Sequence, residues 1–197
     1  IRHIKGNMAI AHNGNLVNAA ELRRGFELKG GIFHGTSDTE SIAYAIVSAR
    51  LKTKTTEDAI DSVMNQIKGA YSCVVMTATK MIAFRDPEGF RPLCIGKTED
   101  GAMVVSSESC ALDTIGAEFI RDVLPGEIVV FDKDGIRSIT SHCKTKGHMC
   151  VFEYIYFARP DSVIEGVSVQ KARMRAGAFL AQEHPVDADV VVGVPDS

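Results

Sequence analysis

Tryptophan is absent from these 197 residues and the four tyrosines are scattered, so no aromatic stripe suggests binding of single-stranded nucleic acid or sugar. An excess of one charge is absent too. With 22 Lys and Arg against 25 Asp and Glu the formal charge is -3, which excludes the continuous basic field that phosphate backbones require; no nucleic-acid partner is expected. No apolar run approaches the roughly 18 to 20 residues that span a bilayer, and Ile1 to Gly6 does not read as a secretory signal. A cytoplasmic protein without a membrane partner is expected. Cysteines stand at 73, 94, 110, 143 and 150, an odd number without CxxC spacing, which predicts reduced thiols instead of a zinc ribbon or disulfide framework. What remains is ordinary. Hydrophobic residues at 45% and charged residues at 24% predict a packed globular chain of one to two domains.

Met8 to Ala11 reads as a strand running into His12-Asn13-Gly14-Asn15. Asn18 to Lys29 carries Ala19, Leu22 and Phe26 at helical spacing and stops at Gly30-Gly31. Ser37-Asp38-Thr39-Glu40 matches a capping box ahead of a helix with Ile42, Ala45, Ile46 and Ala49 on its inner face. In a third helix Ile60, Val63, Met64 and Ile67 share one face, and Thr55 and Asp58 are placed to cap it. From Gly69 the period changes to that of strands. Tyr71 to Thr77 and Met81 to Phe84 predict a hairpin around Ala78-Thr79, and Leu93 to Ile95, Ala102 to Ser106, Glu127 to Phe131 and Ile136 to Ile139 extend an antiparallel series. Helices ahead of a meander argue an α+β layer structure. Ser141 to Met149 reads as a polar connection, followed by an amphipathic helix at Val169 to Glu183 bearing Ala172, Ala176, Phe179 and Leu180. The doubly hydrophobic run Val190 to Val194 then predicts a strand inside a parallel sheet.

Four positions could carry chemistry, and each also has a structural role. Asn13-Gly14 is a hairpin signal, because both residues tolerate positive φ. In the functional reading the Asn13 side-chain amide and the Gly14 N–H converge as two donors on one oxygen. Asp38 is an acid in a helix's first turn, favoured there by the dipole, or a carboxylate for the ammonium of an amino-acid ligand. Cys150 lies near His142, Cys143 and His148, but the spacings fit no zinc pattern and a polar linker is expected. His12 reads as a structural histidine, and Asp86 to Gly89 as a turn.

Taken together the motifs go further. Ala11-His12-Asn13-Gly14-Asn15-Leu16-Val17-Asn18-Ala19 followed by Ser37-Asp38-Thr39-Glu40 resembles the glutaminase domain of the class II, N-terminal-nucleophile amidotransferases. Gly69-Ala70-Tyr71-Ser72, Asp86 to Leu93, Ser106-Ser107-Glu108 and Phe152 to Ser162 resemble the amidophosphoribosyltransferase family within that class. The resemblance runs from about Met8 to Val192-Gly193-Val194-Pro195-Asp196-Ser197.

The resemblance implies an αββα layered sandwich of the N-terminal-nucleophile hydrolase kind over residues 1–149, incomplete at its start. Residues 150–197 are then the connection and first elements of a parallel α/β phosphoribosyltransferase domain. It implies glutamine and phosphoribosyl pyrophosphate as substrates, phosphoribosylamine as product, and a homo-oligomer. Asn13 and Gly14 are assigned to the oxyanion hole and Asp38 to the α-ammonium of glutamine. Magnesium accompanies phosphoribosyl pyrophosphate in the family, and one branch holds a structural [4Fe-4S] cluster in which Cys150 is the matching ligand; neither is expected in this chain alone. The family's nucleophile is an N-terminal cysteine, and no cysteine here lies near residue 1. The chain is therefore expected to be a fragment, inactive by itself. The competing readings are another class II amidotransferase, such as a glucosamine-phosphate or asparagine synthase, and a noncatalytic amino-acid-binding module.

Overall fold

The structure, a computed structural model, describes residues 1–194. The chain opens with β1 (Arg2–His3) and β2 (Gly6–Leu16), then α1 (Ala19–Glu27), α2 (Asp38–Arg50) and α3 (Thr56–Met64). There follow β3 (Gly69–Thr77), β4 (Met81–Arg85), β5 (Cys94–Lys97), β6 (Met103–Ser106), α4 (Ser109–Thr114), β7 (Glu118–Asp122), β8 (Ile128–Asp132) and β9 (Gly135–Ile139). A π-helical turn at Glu153–Phe157, β10 (Val163–Ile164), β11 (Val167–Ser168) and α5 (Val169–Glu183) complete it. Among the described residues no helix is long and apolar enough to cross a membrane.

The order of layers follows from strand alternation. Ile82 and Phe84 point to one face of the antiparallel sheet β1-β2-β3-β4-β8-β9, where Tyr71, Cys73 and Val75 join Ile42 and Ile46 of α2 and Ile60 and Val63 of α3. Ala83, Val129 and Phe131 point to the other face and pack on Ile95 of the second antiparallel sheet, β6-β5-β7, and on Leu93 and Val123 at its strand ends. Leu112 of α4 covers that sheet's far side with Cys94 and Ala117. The result is a helix–sheet–sheet–helix sandwich, as expected. Helix α3 starts on the expected box: Thr55 Oγ1 accepts from Asp58 N–H at 3.1 Å and the Asp58 carboxylate accepts from Thr55 N–H at 3.2 Å. A smaller cluster of Ala158, Ile164 and Val169, flanked by Met149 and Tyr154, gathers the C-terminal elements.

Five expectations need correction. Asn13-Gly14 is no tight turn: β2 runs straight through it and pairs with β3 from Met8↔Thr77 to Leu16↔Gly69. A hairpin there would need Ala9–Ala11 to pair with Leu16–Val17, and the long apolar strand β3 outcompetes so short a partner. The box at Ser37 forms only half, since Ser37 Oγ accepts from Thr39 N–H while the Glu40 carboxylate instead takes the amides of His34 and Gly35. Elements α4 and β7, which the sequence pattern does not predict, lie between expected strands. The apolar side of α5 is uncovered, with Phe179 and Leu180 exposed. Val190 to Val194 forms no strand; a run hydrophobic on both faces requires neighbours on both sides, and among the described residues none lies beside it. Pro195-Asp196-Ser197, where the family resemblance ends, lies outside the described residues.

Candidate functional site

Strand β2 has an open edge, because β1 pairs with it only at Arg2↔Asn7 and His3↔Gly6. In an antiparallel ladder a residue sends its N–H and C=O to the same side, and successive residues alternate. Along β2 the Met8 N–H goes outward to Ile1 C=O at 2.9 Å and the Leu16 N–H goes outward to Asp38 Oδ2 at 2.9 Å. Gly14 shares that parity. Its partner Tyr71 turns both backbone groups away from it, towards Asp86. The Gly14 amide therefore faces the same open edge as the Asp38 carboxylate. Gly14 has φ +135°, and a Cβ there would meet Ala70 O at 2.0 Å, so only glycine fits.

Asp38 is the first residue of α2, and its other oxygen, Oδ1, lies 3.4 Å from His12 Nδ1. Contacts at His12 and Leu16 thus lie on either side of Asn13-Gly14 along β2, which puts the Gly14 amide and Asp38 at one edge, while the Asn13 side chain leaves from the other face. A carboxylate has about four lone-pair directions, and the Asp38 side chain, 17% exposed, keeps capacity for a ligand ammonium. Asn13 is exposed on the opposite face of β2, where its Nδ2 donates to Ser107 Oγ at 3.2 Å. An Asn amide carries two N–H donors, so one remains for a ligand oxygen.

His12 is more than a core filler. Its side chain is only 2% exposed, Nδ1 lies 3.1 Å from Thr39 Oγ1, and Nε2 is buried without a hydrogen-bond partner among the described residues. Burial pulls its pKa below the ordinary value, against the opposing pull of Asp38 and with a contribution from Arg91. A neutral ring can donate from Nδ1 and so hold the Asp38 carboxylate in place.

Asp86 gathers amides from Tyr71 (3.2 Å), Glu88 (3.1 Å), Phe90 (3.1 Å) and Arg91 (3.3 Å). Burial pushes its pKa up, while those amides and Arg85 pull it down. The Asp-Pro-Glu-Gly turn is thus a fixed loop built around a buried carboxyl. Arg85 is itself 1% exposed and donates to the carbonyls of Arg91, Val123 and Gly89 and to Glu165 Oε1. Asp86 and Ser107 lie in segments that resemble the family, but the residues alone give neither a role, since those segments otherwise read as ordinary turn and strand end.

None of the thiols with a shifted pKa is poised as a nucleophile. Burial drives Cys73 well up, Cys94 up to about 12 and Cys143 upward, whereas attack needs the thiolate. Among the described residues no three His, Cys, Asp or Glu groups lie together as a metal site. Cys150 is one thiol where a four-iron cluster takes four, so the residues described do not by themselves fit the cluster or supply a magnesium site.

The chain matches the glutamine amidotransferase domain family over residues 1–114. It is 50% identical over 210 residues to the amidophosphoribosyltransferase of Methanocaldococcus jannaschii, covering 98% of this chain and 44% of that protein. The Bacillus subtilis amidophosphoribosyltransferase is 47% identical over 192 residues, with 98% and 40% covered. Among solved structures, glutamine phosphoribosylpyrophosphate amidotransferase from B. subtilis, complexed with ADP and GMP, superposes with a TM-score of 0.90 at 46% identity over 99% of this chain and 42% of its own. A class II glutamine aminotransferase domain protein from Silicibacter pomeroyi shares the fold at TM-score 0.50 and 14% identity, with 67% of this chain and 65% of that one covered. The chain spans less than half the length of the curated relatives it matches.

Proposed function

The chain belongs to the glutamine amidotransferase family, and from that premise we propose that it forms the glutamine site of an amidophosphoribosyltransferase, which moves the amide nitrogen of glutamine to phosphoribosyl pyrophosphate. The observation that carries this is the bracketing of Asn13-Gly14 by the Asp38 carboxylate, which accepts from Leu16 N–H at 2.9 Å and lies 3.4 Å from His12. An amino acid whose ammonium pairs with Asp38 can lay its side-chain amide along the β2 edge.

Attack of a cysteine thiolate on the amide carbon forms a C–S bond and moves the C=O electron pair onto oxygen. The Gly14 N–H and the free Asn13 Nδ2–H are the donors for that oxyanion, and they exist before the charge does. Collapse of the intermediate expels the nitrogen as ammonia once it is protonated, and water then hydrolyses the glutamyl thioester to glutamate. The ammonia displaces pyrophosphate from phosphoribosyl pyrophosphate at a second site, with which magnesium is associated. His12 holds Asp38, and the Asp86 loop holds the end of β3 that faces Gly14.

We divide the chain at residues 149 and 150 into a glutaminase part and the start of a phosphoribosyltransferase part, and expect the whole enzyme to be a cytoplasmic homo-oligomer. All five cysteines here are free, as a reducing compartment favours. The amidophosphoribosyltransferase relatives support this reading over a synthase or a noncatalytic module.

The test is Asn13→Ala in the full-length enzyme. Glutamine-dependent turnover should fall about 100- to 1000-fold while ammonia-dependent turnover is retained. Equal loss of both activities contradicts the assignment.

A further inference from the structure

The turn that joins β6 to α4 makes hydrogen bonds in two directions from adjacent residues. Ser107 Oγ accepts from Asn13 Nδ2 at 3.2 Å. The next residue, Glu108, accepts through Oε2 from Arg159 N–H at 2.8 Å and from Ser162 Oγ–H at 2.7 Å. Ser109 Oγ then accepts from Val163 N–H at 2.8 Å. Ser162 is fully buried and Ser109 nearly so, so the segment from Arg159 to Val163 sits firmly against this turn.

Glu108 is in the N-cap position of α4, with φ -133° and ψ 146°, yet its side chain makes no capping bond to that helix. Side-chain oxygens at this position ordinarily accept from the first helical amides. Here the carboxylate serves the C-terminal elements instead, and the residue beside it serves Asn13. Asn13 itself is exposed. An exposed amide that must meet an oxyanion needs an external partner to fix its rotamer, and Ser107 supplies one.

We propose that Ser107 is a positioning residue for the Asn13 amide, and that Glu108 makes this placement depend on the seating of Arg159 to Val163, so that the C-terminal elements set the aim of the oxyanion donor. This rests on the oxyanion role given to Asn13 above. The two ideas fail separately.

The experiment compares kcat and KM for glutamine hydrolysis in the full-length protein and its variants. Ser107→Ala lowers kcat about tenfold, the worth of one hydrogen bond, with KM for glutamine unchanged. Ser107→Thr, which restores the hydroxyl, recovers the rate. Glu108→Ala lowers kcat in the same way, and the double variant Ser107→Ala/Glu108→Ala is no slower than the slower single, because both act on Asn13 by one route. Rates for Ser107→Ala within about twofold of the parent, no rescue by threonine, or strictly additive losses would each overturn the proposal. Asn13→Ala is measured beside them. If it leaves kcat intact, the oxyanion role itself falls; if it is slow while Ser107→Ala and Glu108→Ala are fast, only the positioning falls.

Discussion

At the scale of single residues, burial favours the neutral form of His12, the histidine beside Asp38. His12 is enclosed by the sheet and α2, with Asp38 and Thr39 at Nδ1 and no partner among the described residues at Nε2. Its folded pKa is lowered from 6.5, chiefly by burial. Below that value the unfolded chain takes up a proton that the folded chain refuses, so the stability contributed by the neutral ring is present above 6.5 and is lost as the pH falls beneath it. Urea unfolding of the chain between about pH 7 and pH 5 should therefore show a steeper loss of stability for the parent than for His12→Asn. Parallel curves would show that the ring titrates as it does in the unfolded chain. The bland reading of His12 from the sequence missed this, because the orphaned nitrogen and the carboxylate beside it are brought to the ring only by folding. The same holds for Asp86, whose four amide donors come from its own loop and from the start of β3.

At the scale of elements, helices were legible wherever a cap and a 3.6-residue period agreed. Thr55 and Asp58 close their box and Ile60 and Val63 are fully buried, while α5 begins and ends at the expected residues. Such a cap contributes about 1 kcal/mol. Strand pairing was less legible, since Asn13-Gly14 carries the local signature of a turn and the partner that keeps it extended, Ala70 to Ser72, is remote in sequence. The close approach of β2 and β3 is also where glycine is required. Gly14→Ala places a methyl 2.0 Å from Ala70 O at a φ of +135°, which costs about 3 kcal/mol or more. The melting temperature should fall by roughly 6 to 12 °C. Gly6→Ala, at φ +121° with nothing within 4 Å, is the control for φ strain without a clash and should be markedly milder. Equal losses from the two would mean that the strands can part. Elements α4 and β7 escaped notice because one has six residues and the other turns mostly exposed side chains outward, so neither shows a period against the core.

At the scale of the whole molecule, the layered unit and the C-terminal elements are joined by ions as well as by the Glu108 seat. Arg85, almost wholly buried, reaches Glu165 at 2.8 Å, and Arg91 reaches the buried Glu153 at 2.6 Å while lying 4.8 Å from the ring centre of Phe157. Each pair has one buried and one partly exposed member, and Arg85 keeps three carbonyl acceptors besides Glu165, so losing one partner costs less than breaking a fully buried pair. Arg85 and Arg91 flank the Asp86 loop, so those pairs tie the loop to the C-terminal elements. The open edge of β2 and the uncovered Phe179, Leu180 and Val190 to Val194 are surfaces that isolated proteins usually shield. The central claim is that one amino acid bridges Asp38 and the Asn13-Gly14 edge. A crystal structure of the full-length protein with bound glutamate tests this most directly. The account predicts the ammonium within hydrogen-bonding reach of Asp38, and a side-chain carboxylate oxygen facing Asn13 Nδ2 and the Gly14 N–H. Glutamate bound away from this edge, or with its side chain turned from Asn13 and Gly14, would contradict it.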